Sequence, residues 1–307
     1  MKRYAYFPGC SAETVSASYH LSAVEAGTRL GVEFEEIEDW NCCGATPYTN
    51  IDELLAHALC ARNLAIAERE HLDVVAPCSA CFKNLYHTNA CLRAEPDLAD
   101  HMNYALEADA LRFDGTIAVR HLIHVFVEDV GLEAVRRKVT HPLTGVRVAP
   151  YYGCQLVRPD RHDGYDAAAP RYFEDLLAAT GATPVDYPYR LRCCGASLMI
   201  ANRPAALAMV RDLLRSAVQA QADVIATTCP LCQLNLEAYQ GDVNREFGTE
   251  YRVPVLYFTQ LMGLAMGIGR KKLGIGRELI PPTKVLECVA RKAAAAEAPK
   301  TAEVSHP

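Results

Sequence analysis

Ten cysteines of the chain fall into two sets of five that share one order and nearly one spacing. In each set a lone cysteine comes first, an adjacent Cys-Cys pair follows, and a Cys-x-x-Cys motif closes the set. The first set is Cys10, Cys42, Cys43, Cys78 and Cys81, and the second set is Cys154, Cys193, Cys194, Cys229 and Cys232. The neighbouring residues repeat as well, and Cys-Cys-Gly-Ala occurs whole in both sets. Repetition of this length indicates internal duplication.

The chemistry that five thiols can perform is limited by how many ligands a metal takes. A mononuclear zinc site takes four ligands, so it would leave one cysteine of each set unused. An iron–sulfur cluster contains several irons, so adjacent cysteines that point in different directions can bind different metal atoms. Gly44 and Gly195, which follow the pairs, permit unusual backbone angles and close approach of amides to sulfur. The residues favour an iron–sulfur centre, with zinc or a thioredoxin-type dithiol as the alternatives.

The elements that must position these cysteines predict an α/β fold. Strands predicted at 4–7 and 147–152 end just before the first cysteine of each set. Amphipathic helices then lead into short apolar strands at 73–76 and 223–226, which end at the Cys-x-x-Cys motifs. Such alternation predicts mainly parallel sheets flanked by helices, which bind ligands beyond the carboxyl ends of their strands. We predict two tandem, pseudo-equivalent domains and a partly disordered tail, at 1–144, 145–282 and 283–307.

Length and composition restrict the class of protein. A chain of 307 residues can bury its cores without disulfide bonds. Its 13 cysteines are an odd number, and no charged-then-apolar signal segment opens the sequence, so we expect a reducing, cytoplasmic location. A net charge of -6 without a long basic run disfavours nucleic-acid binding. The most apolar run, 253–268, is short for a membrane span, so we expect a strand and a helix there and at most peripheral membrane contact.

The duplicated order Cys, Cys-Cys-Gly, Cys-x-x-Cys resembles the cysteine-rich CCG domain of the heterodisulfide reductase B-subunit family, and the resemblance extends to about residue 280. In that family each motif holds a non-cubane 4Fe-4S cluster through its five cysteines. The resemblance therefore implies that each set of five binds one such cluster, and that the chain interconverts thiols and disulfides. It also implies two partners, a small ferredoxin-type iron–sulfur subunit and a flavin-bearing subunit.

The resemblance leaves the substrate open. In methanogens it is the heterodisulfide of coenzyme M and coenzyme B, whereas sulfur-oxidising bacteria use a similar complex on sulfur carried by a lipoate-binding protein. The excess of arginine over lysine and the abundance of alanine hint at a GC-rich genome and favour the sulfur-oxidising branch. Two alternatives remain. One is an electron-transfer CCG subunit of a glycolate or lactate oxidase or an atypical succinate dehydrogenase, and the other is a zinc-stabilised assembly module.

Three cysteines lie outside the two sets and have no counterparts across the duplication. They are Cys60, Cys91 and Cys288. Free cysteine packs as a small hydrophobic residue, so we expect ordinary thiols that bind no cluster.

The two sets differ in the interval between the first cysteine and the pair, which is longer by seven residues in the second set. The extra residues fall most naturally at 158–170. An insertion in a strand-to-helix connection lies on the ligand side of an α/β sheet. We predict that Arg158 and Arg161 there attract an anionic thiol substrate or a carrier protein, and a solvated loop without such a role is the alternative.

Overall fold

The structure is a computed structural model that describes residues 2–45, 48–158 and 168–297, with the side chains of residues 49, 50 and 295–297 excepted. Within these ranges the chain forms two four-stranded sheets, one in each half, and helices flank both sheets. This confirms the predicted α/β class with two mainly parallel sheets.

The first half contains β1 to β4 and α1 to α7. Its elements in chain order are β1 (Lys2–Tyr6), α1 (Ala17–Leu30), β2 (Val32–Glu36), α2 (Tyr48–Ile51), α3 (Glu53–Arg69), β3 (Val74–Ala76), α4 (Ser79–Ala94), α5 (Pro96–Leu106), a 3-10 turn (Glu107–Asp109), β4 (Val119–His121), α6 (Leu122–His124), a π-helical segment (Val125–Gly131) and α7 (Leu132–Lys138).

The second half contains β5 to β8 and α8 to α14. Its elements in chain order are β5 (Arg147–Tyr151), α8 (Tyr172–Ala179), β6 (Thr183–Pro184), α9 (Leu198–Ala201), α10 (Arg203–Gln219), β7 (Val224–Thr227), α11 (Pro230–Ala238), α12 (Gln240–Phe247), β8 (Val255–Tyr257), α13 (Phe258–Ala265) and α14 (Thr283–Glu297).

Both sheets have the same strand order, β2-β1-β3-β4 in the first and β6-β5-β7-β8 in the second, and all neighbouring strands are parallel. In the first sheet β2 lies on one side of β1 and β3 on the other, so the strand order reverses between β1 and β3. In the second sheet it reverses in the same way between β5 and β7. Open parallel sheets bind ligands beyond the carboxyl ends of their strands at such a reversal. In each half the first cysteine and the Cys-x-x-Cys motif follow the two strands on either side of it.

The central strands are buried because helices cover both faces of each sheet. Every residue of the central strands β3 and β7 is buried, as is every residue of the edge strand β8, and all three read as short apolar runs. The apolar run at 253–268 forms β8 and α13, as the sequence predicts. In the described ranges no helix combines the length and the apolar character that crossing a membrane requires.

The two halves are joined by a short connection and packed together through α1 and α13. Eight residues, 139–146, separate α7 from β5. The ring of Tyr19 in α1 stacks on that of Tyr257 at the end of β8, with centroids 4.1 Å apart and planes 6° from parallel. Ser22 in α1 and Thr259 in α13 share a hydrogen bond of 2.6 Å between their hydroxyls. The core is therefore continuous from one half to the other.

Deletion of residues 290–307 should leave folding intact. The buried side chains of α14 that precede the deletion are Val285 and Cys288, and they keep their contacts. We expect a soluble product whose thermal midpoint, followed by circular dichroism, stays within about 2 °C of the parent value. A longer deletion of 283–307 removes both buried residues and should lower the midpoint. An insoluble product from the shorter deletion would show that residues after 289 contribute to the core.

Candidate metal centre

The first set of cysteines lies at the carboxyl edge of the first sheet, where three loops converge. Cys10 follows β1, the Cys42–Cys43 pair follows β2, and Cys78 and Cys81 begin α4 after β3. Cys10 and Cys42 are exposed, whereas the other three are buried. The sulfurs of Cys43 and Cys81 are 3.2 Å apart. The structure thus brings together thiols that are distant in sequence, in a cluster with an open side.

The second set repeats this arrangement at the edge of the second sheet. Cys154 follows β5, the Cys193–Cys194 pair follows β6, and Cys229 and Cys232 begin α11 after β7. The first two of these residues are half-buried and the remaining three are buried. The sulfurs of Cys194 and Cys232 are 3.5 Å apart, so in both sets the second residue of the pair lies against the last cysteine.

Two buried asparagines that the sequence analysis missed hold the Cys-Cys turns in place. Asn84 donates a hydrogen bond of 3.1 Å to the carbonyl of Cys43, and Asn235 donates one of 2.6 Å to the carbonyl of Cys194. Each asparagine lies three residues after the last cysteine of its set, in the repeated Asn-Leu of both halves. That repeat is the signal that could have identified them.

The first Cys-Cys turn is also fixed from the opposite side by α3. The backbone amide of Asn41 donates to the side chain of Asn63 at 2.9 Å, and that side chain returns a bond of 3.0 Å to the Asn41 carbonyl. The thiol of Cys60 donates to the carbonyl of Cys43 at 3.3 Å. Cys60 therefore supports the turn through the backbone, without joining the set of five thiols.

The two sets meet where the halves pack together. Cys78 and Cys229, the first cysteines of the two Cys-x-x-Cys motifs, lie close enough to shift each other's pKa: Cys229 raises the pKa of Cys78, and Cys78, after Cys232, lowers the pKa of Cys229. Next to them, the hydroxyls of Ser79 and Thr228 lie 3.0 Å apart, and Tyr19 donates to the Thr228 carbonyl at 3.2 Å. Cys78 and Cys229 are the N-cap residues of α4 and α11. The two sets are therefore adjacent at the interface between the halves.

Thiol pKa values are displaced by contacts within the group. Hydrogen bonds with Cys42 and then Cys81 hold the pKa of Cys43 well below the usual value of a thiol. Hydrogen bonds with Cys154 and then Cys194 lower the pKa of Cys193 to about 2. The amide of Gly195 adds a bond of 3.3 Å to the sulfur of Cys193. Each half thus contains a sulfur that readily carries negative charge, as a metal ligand must.

The donor set fits an iron–sulfur centre. All thirteen cysteines are free thiols, and five of them converge at the carboxyl edge of each sheet. The backbone of Gly9 and Gly153 lies so close to the sulfurs that a side chain would crowd them. A Cβ added at Gly9 would lie 3.3 Å from the sulfur of Cys81, and one at Gly153 would lie 3.2 Å from that of Cys232. Five sulfurs per half exceed what a single zinc ion uses, whereas a polynuclear cluster can use them all.

Replacing Gly9 with alanine should reduce the iron that the protein retains. Gly9 has a φ of +77°, so a side chain strains the backbone, and the new methyl also contacts the Cys81 sulfur. Gly31 is a matched control, because its φ is +78° and an added Cβ meets nothing within 4 Å. Both variants should lose about 1 kcal/mol of unfolding free energy from strain alone. We expect iron loss, measured by chemical assay, only in Gly9→Ala, and equal iron in both variants would contradict the packing argument.

The three cysteines outside the two sets lie apart from the ten sulfurs, and the loop at 158–170 is described only in part. Cys60 and Cys288 are buried and Cys91 is half-buried, and none of the three joins either set of five. The sulfur of Cys288 donates to the carbonyl of Thr144 at 3.4 Å. Of the loop at 158–170, residues 159–167, Arg161 among them, lie outside the described residues.

Arg158 is described, and its position agrees with a role at the second set. With Tyr189, Arg192 and Cys193 it lines a cavity of about 290 Å³. Hydrogen bonds with Cys154 and Cys194 and then the charge of Arg158 lower the pKa of Cys193, whereas at Cys154 the charge of Arg158 only partly offsets the rise in pKa caused first by the hydrogen bond with Cys193. A guanidinium therefore lies on the exposed side of the second set.

Comparison with known proteins identifies the repeated unit. The model of the CCG family, described as a cysteine-rich domain, matches residues 4–86 and 148–237. The 8-methylmenaquinol:fumarate reductase membrane anchor subunit of Wolinella succinogenes is 35% identical, over 92% of this chain and 99% of that protein. The B subunit of the ferredoxin:CoB-CoM heterodisulfide reductase of Methanosarcina mazei is 32% identical, over 91% of this chain and 94% of that protein.

Two further relatives extend the comparison. A protein of Archaeoglobus profundus that is named as similar to the heterodisulfide reductase B subunit is 27% identical, over 89% of this chain and 93% of that protein. Among solved structures, a hypothetical protein from Helicobacter pylori has a TM-score of 0.74 and 15% identity, and the match covers 91% of this chain and 52% of that one. At this identity the likeness concerns the fold alone.

Proposed function

The chain belongs to the cysteine-rich CCG family, with the domain present twice, and is an iron–sulfur redox subunit, and from this premise we propose that it interconverts thiols and disulfides in a heterodisulfide reductase-like complex. The reaction in the reducing direction takes one disulfide, two electrons and two protons and gives two thiols. Two electron-carrying sites that face one cleft suit this reaction, because each contributes one electron.

The observation that carries the proposal is the contact between the two sets at the starts of α4 and α11, where the hydroxyls of Ser79 and Thr228, the neighbours of Cys78 and Cys229, lie 3.0 Å apart. The exposed side of the first set is formed by Cys10 and Cys42, and that of the second set by the half-buried Cys154 and Cys193. A substrate that approaches the carboxyl edges of the two sheets therefore finds both sets. A subunit that passes electrons in one direction needs no such pairing of equivalent sites.

Each set of five would hold one 4Fe-4S cluster, of the non-cubane type, and these clusters would supply single electrons to or from sulfur. The chain's own residues provide the thiolate ligands, the amides near the Cys-Cys turns, and the asparagines that fix those turns. Buried aromatic rings, Tyr19 and Tyr257, exclude water from the side of the group that faces the core.

The partners and location follow from the same proposal. Electrons pass to or from a small ferredoxin-type subunit and a flavin-bearing subunit of one complex. The substrate is a disulfide or a lipoate-bound sulfur, with the sulfur-oxidising branch favoured by the arginine-rich composition. Thirteen free thiols fit a reducing compartment, and a cytoplasmic location is part of the proposal.

Neutralising Arg158 together with Arg161 should raise the KM for an anionic disulfide by about 3- to 10-fold and leave kcat and the visible spectrum unchanged. The effect should diminish at high salt, because the attraction is between exposed charges. Arg112→Gln is the control, since Arg112 is exposed and precedes β4 at the opposite edge of the first sheet. Kinetics that match the control would leave the loop at 158–170 without a role at the site.

An electron-transfer role is the second candidate, and the 35% identity to a membrane anchor subunit of a fumarate reductase favours it. In that case the chain carries clusters and passes electrons without binding a disulfide. Quinol analogues would then reduce the protein, and disulfides would not reoxidise it.

The test begins with anaerobically purified protein. Brown colour with about eight irons and matching acid-labile sulfide per chain is expected for two 4Fe-4S clusters. Zinc in place of iron, without sulfide, would contradict both candidates and favour the zinc-stabilised module. Protein reduced with a viologen dye is then mixed with the coenzyme M–coenzyme B heterodisulfide, with oxidised lipoamide, or with a quinone analogue. Reoxidation by a disulfide supports the proposal, and reoxidation by the quinone alone supports the electron-transfer candidate.

A further inference from the structure

A second group of metal-binding side chains lies behind the first set of cysteines. His57 on α3 and His87 and Cys91 on α4 each offer one ligand atom, and these atoms lie within 4.8 Å of one another. His87 and Cys91 are four residues apart in α4, so they share one face of the helix. The cysteine sulfur is 3.8 Å from Nδ1 and 3.7 Å from Nε2 of His87. In the described part of the chain this is the one such group formed by at least three ligand side chains outside the ten cysteines.

The distances fit a tetrahedral ion after a small adjustment. Zinc bonds of about 2.0 Å to nitrogen and about 2.3 Å to sulfur place neighbouring ligand atoms roughly 3.3–3.6 Å apart. His87 and Cys91 are already close to this separation. His87 is exposed, so rotation of its ring directs one nitrogen toward a shared ion without displacing packed groups.

His57 is already oriented as a ligand. Its Nδ1 lies 3.0 Å from the hydroxyl of Thr88, which leaves Nε2 to face the cavity. A hydrogen bond from the second ring nitrogen is what usually fixes the tautomer of a metal-binding histidine. Burial, and then the charge of His87, lower the pKa of His57.

The surroundings provide room and charge for a cation. A cavity of about 200 Å³ is lined by two of the three side chains, His57 and His87, and by Glu53, one turn before His57 on α3. Glu53 and Glu95 both add negative potential at His57 and Cys91, and Lys83 opposes them. Three protein ligands leave the fourth position of a tetrahedral ion to Glu53 or to water.

The second half has an ion pair at the position that corresponds to this group of three side chains. The spacing that relates Cys78 to Cys229 places Asp242 opposite Cys91, and Asp242 pairs with Arg203 at 2.5 Å. In the first half the contact joins α3 to α4, the helix that carries the Cys-x-x-Cys motif, and in the second half it joins α10 to α12, which follows that helix. The second half makes this contact with an ion pair, and the first half has three side chains there that can bind a metal ion.

We propose that His57, His87 and Cys91 form a structural zinc site, separate from the ten cysteines, that fastens α3 to α4 behind Cys43. Imidazole and thiolate together are ligands that zinc prefers. The site is connected to the first set through Cys60, which lines the same cavity and donates to the carbonyl of Cys43. Zinc there would add a cross-link between α3 and α4, while Asn63 and Asn84 already hold the Cys42–Cys43 turn, so we expect iron to stay bound when zinc is lost.

The test measures zinc and iron separately in the full chain with its iron loaded. Protein is equilibrated with one equivalent of zinc and passed through a desalting column, and both metals are determined by elemental analysis. X-ray absorption at the zinc edge then gives the ligands of zinc without interference from iron. We expect about one zinc per chain, bound by two nitrogens and one sulfur with bonds of about 2.0–2.3 Å.

Variants locate the site. Cys91→Ser and His87→Asn should each retain at most one fifth of the zinc, with iron unchanged. Cys288→Ser and His101→Asn are the matched controls, a second cysteine outside the sets and a second exposed helical histidine, and should keep both metals. Wild-type protein that retains less than one tenth of an equivalent of zinc would overturn the proposal. So would zinc that persists in Cys91→Ser, a zinc shell of sulfur alone, or iron that is lost together with zinc in Cys91→Ser.

Discussion

Serine in place of Cys43 lowers the iron content from about eight to about four per chain, because the first set of five loses a ligand while the second set stays complete. Cys194→Ser gives the same loss in the second half, and the double variant retains almost no iron. Cys43 and Cys194 are buried, and each lies against the last cysteine of its set. Iron and acid-labile sulfide assays on anaerobically purified protein make the measurement.

The control for this result is Cys60→Ser, which changes a buried thiol in contact with the Cys43 carbonyl without changing a member of either set. Burial raises the pKa of Cys60, so this sulfur is held as a neutral thiol rather than as a thiolate ligand. Cys91→Ser and Cys288→Ser should likewise keep about eight irons. A loss of iron in any of these three that equals the loss in Cys43→Ser would mean that the ligands have been assigned wrongly.

Alanine in place of Tyr19 should lower the thermal midpoint by about 10 °C. Tyr19 is 1% exposed, and its removal leaves a cavity between the halves, which costs roughly 3–5 kcal/mol for a large aromatic residue. The stack on Tyr257 and the hydrogen bond to the Thr228 carbonyl are lost with it. Differential scanning calorimetry at one fixed scan rate, on iron-loaded protein, gives the comparison.

Two further variants separate the contributions at this position. Tyr19→Phe keeps the stacked ring and loses the hydrogen bond, so we expect a cost of about 1 kcal/mol. Tyr104→Ala removes a tyrosine that is 78% exposed and should leave the midpoint unchanged. A midpoint for Tyr19→Ala within 2 °C of the parent would show that Tyr19 does not hold the halves together.

The sequence predicted the parts of the structure that depend on local pattern. Parallel strands that end at Cys10 and Cys78 follow from apolar runs and from the rule that ligands gather at carboxyl ends. The strand and helix at 253–268 follow from an apolar run too short for a membrane span. The assignment of the ten cysteines as cluster ligands, and the boundaries of the two domains, stay predictions.

Contacts between distant elements could not be predicted in this way. Periodicity places His87 and Cys91 on one face of α4, but it does not reveal that α3 presents His57 to that face. The stack of Tyr19 on Tyr257 joins residues from opposite ends of the chain, and no spacing rule relates them. Packing of one element on another is decided by shape and burial, which a linear pattern does not record.

The short connection at 139–146 keeps the two halves together even when the protein is dilute. If the two halves were separate proteins, the contact between Cys78 and Cys229 would depend on their concentration and would be lost when the protein is dilute. Eight residues keep the halves at an effective concentration on the order of millimolar, whatever the abundance of the chain in the cell. The meeting of the two sets of cysteines is therefore an intramolecular event, and each half has been free to change its own sequence without losing its partner.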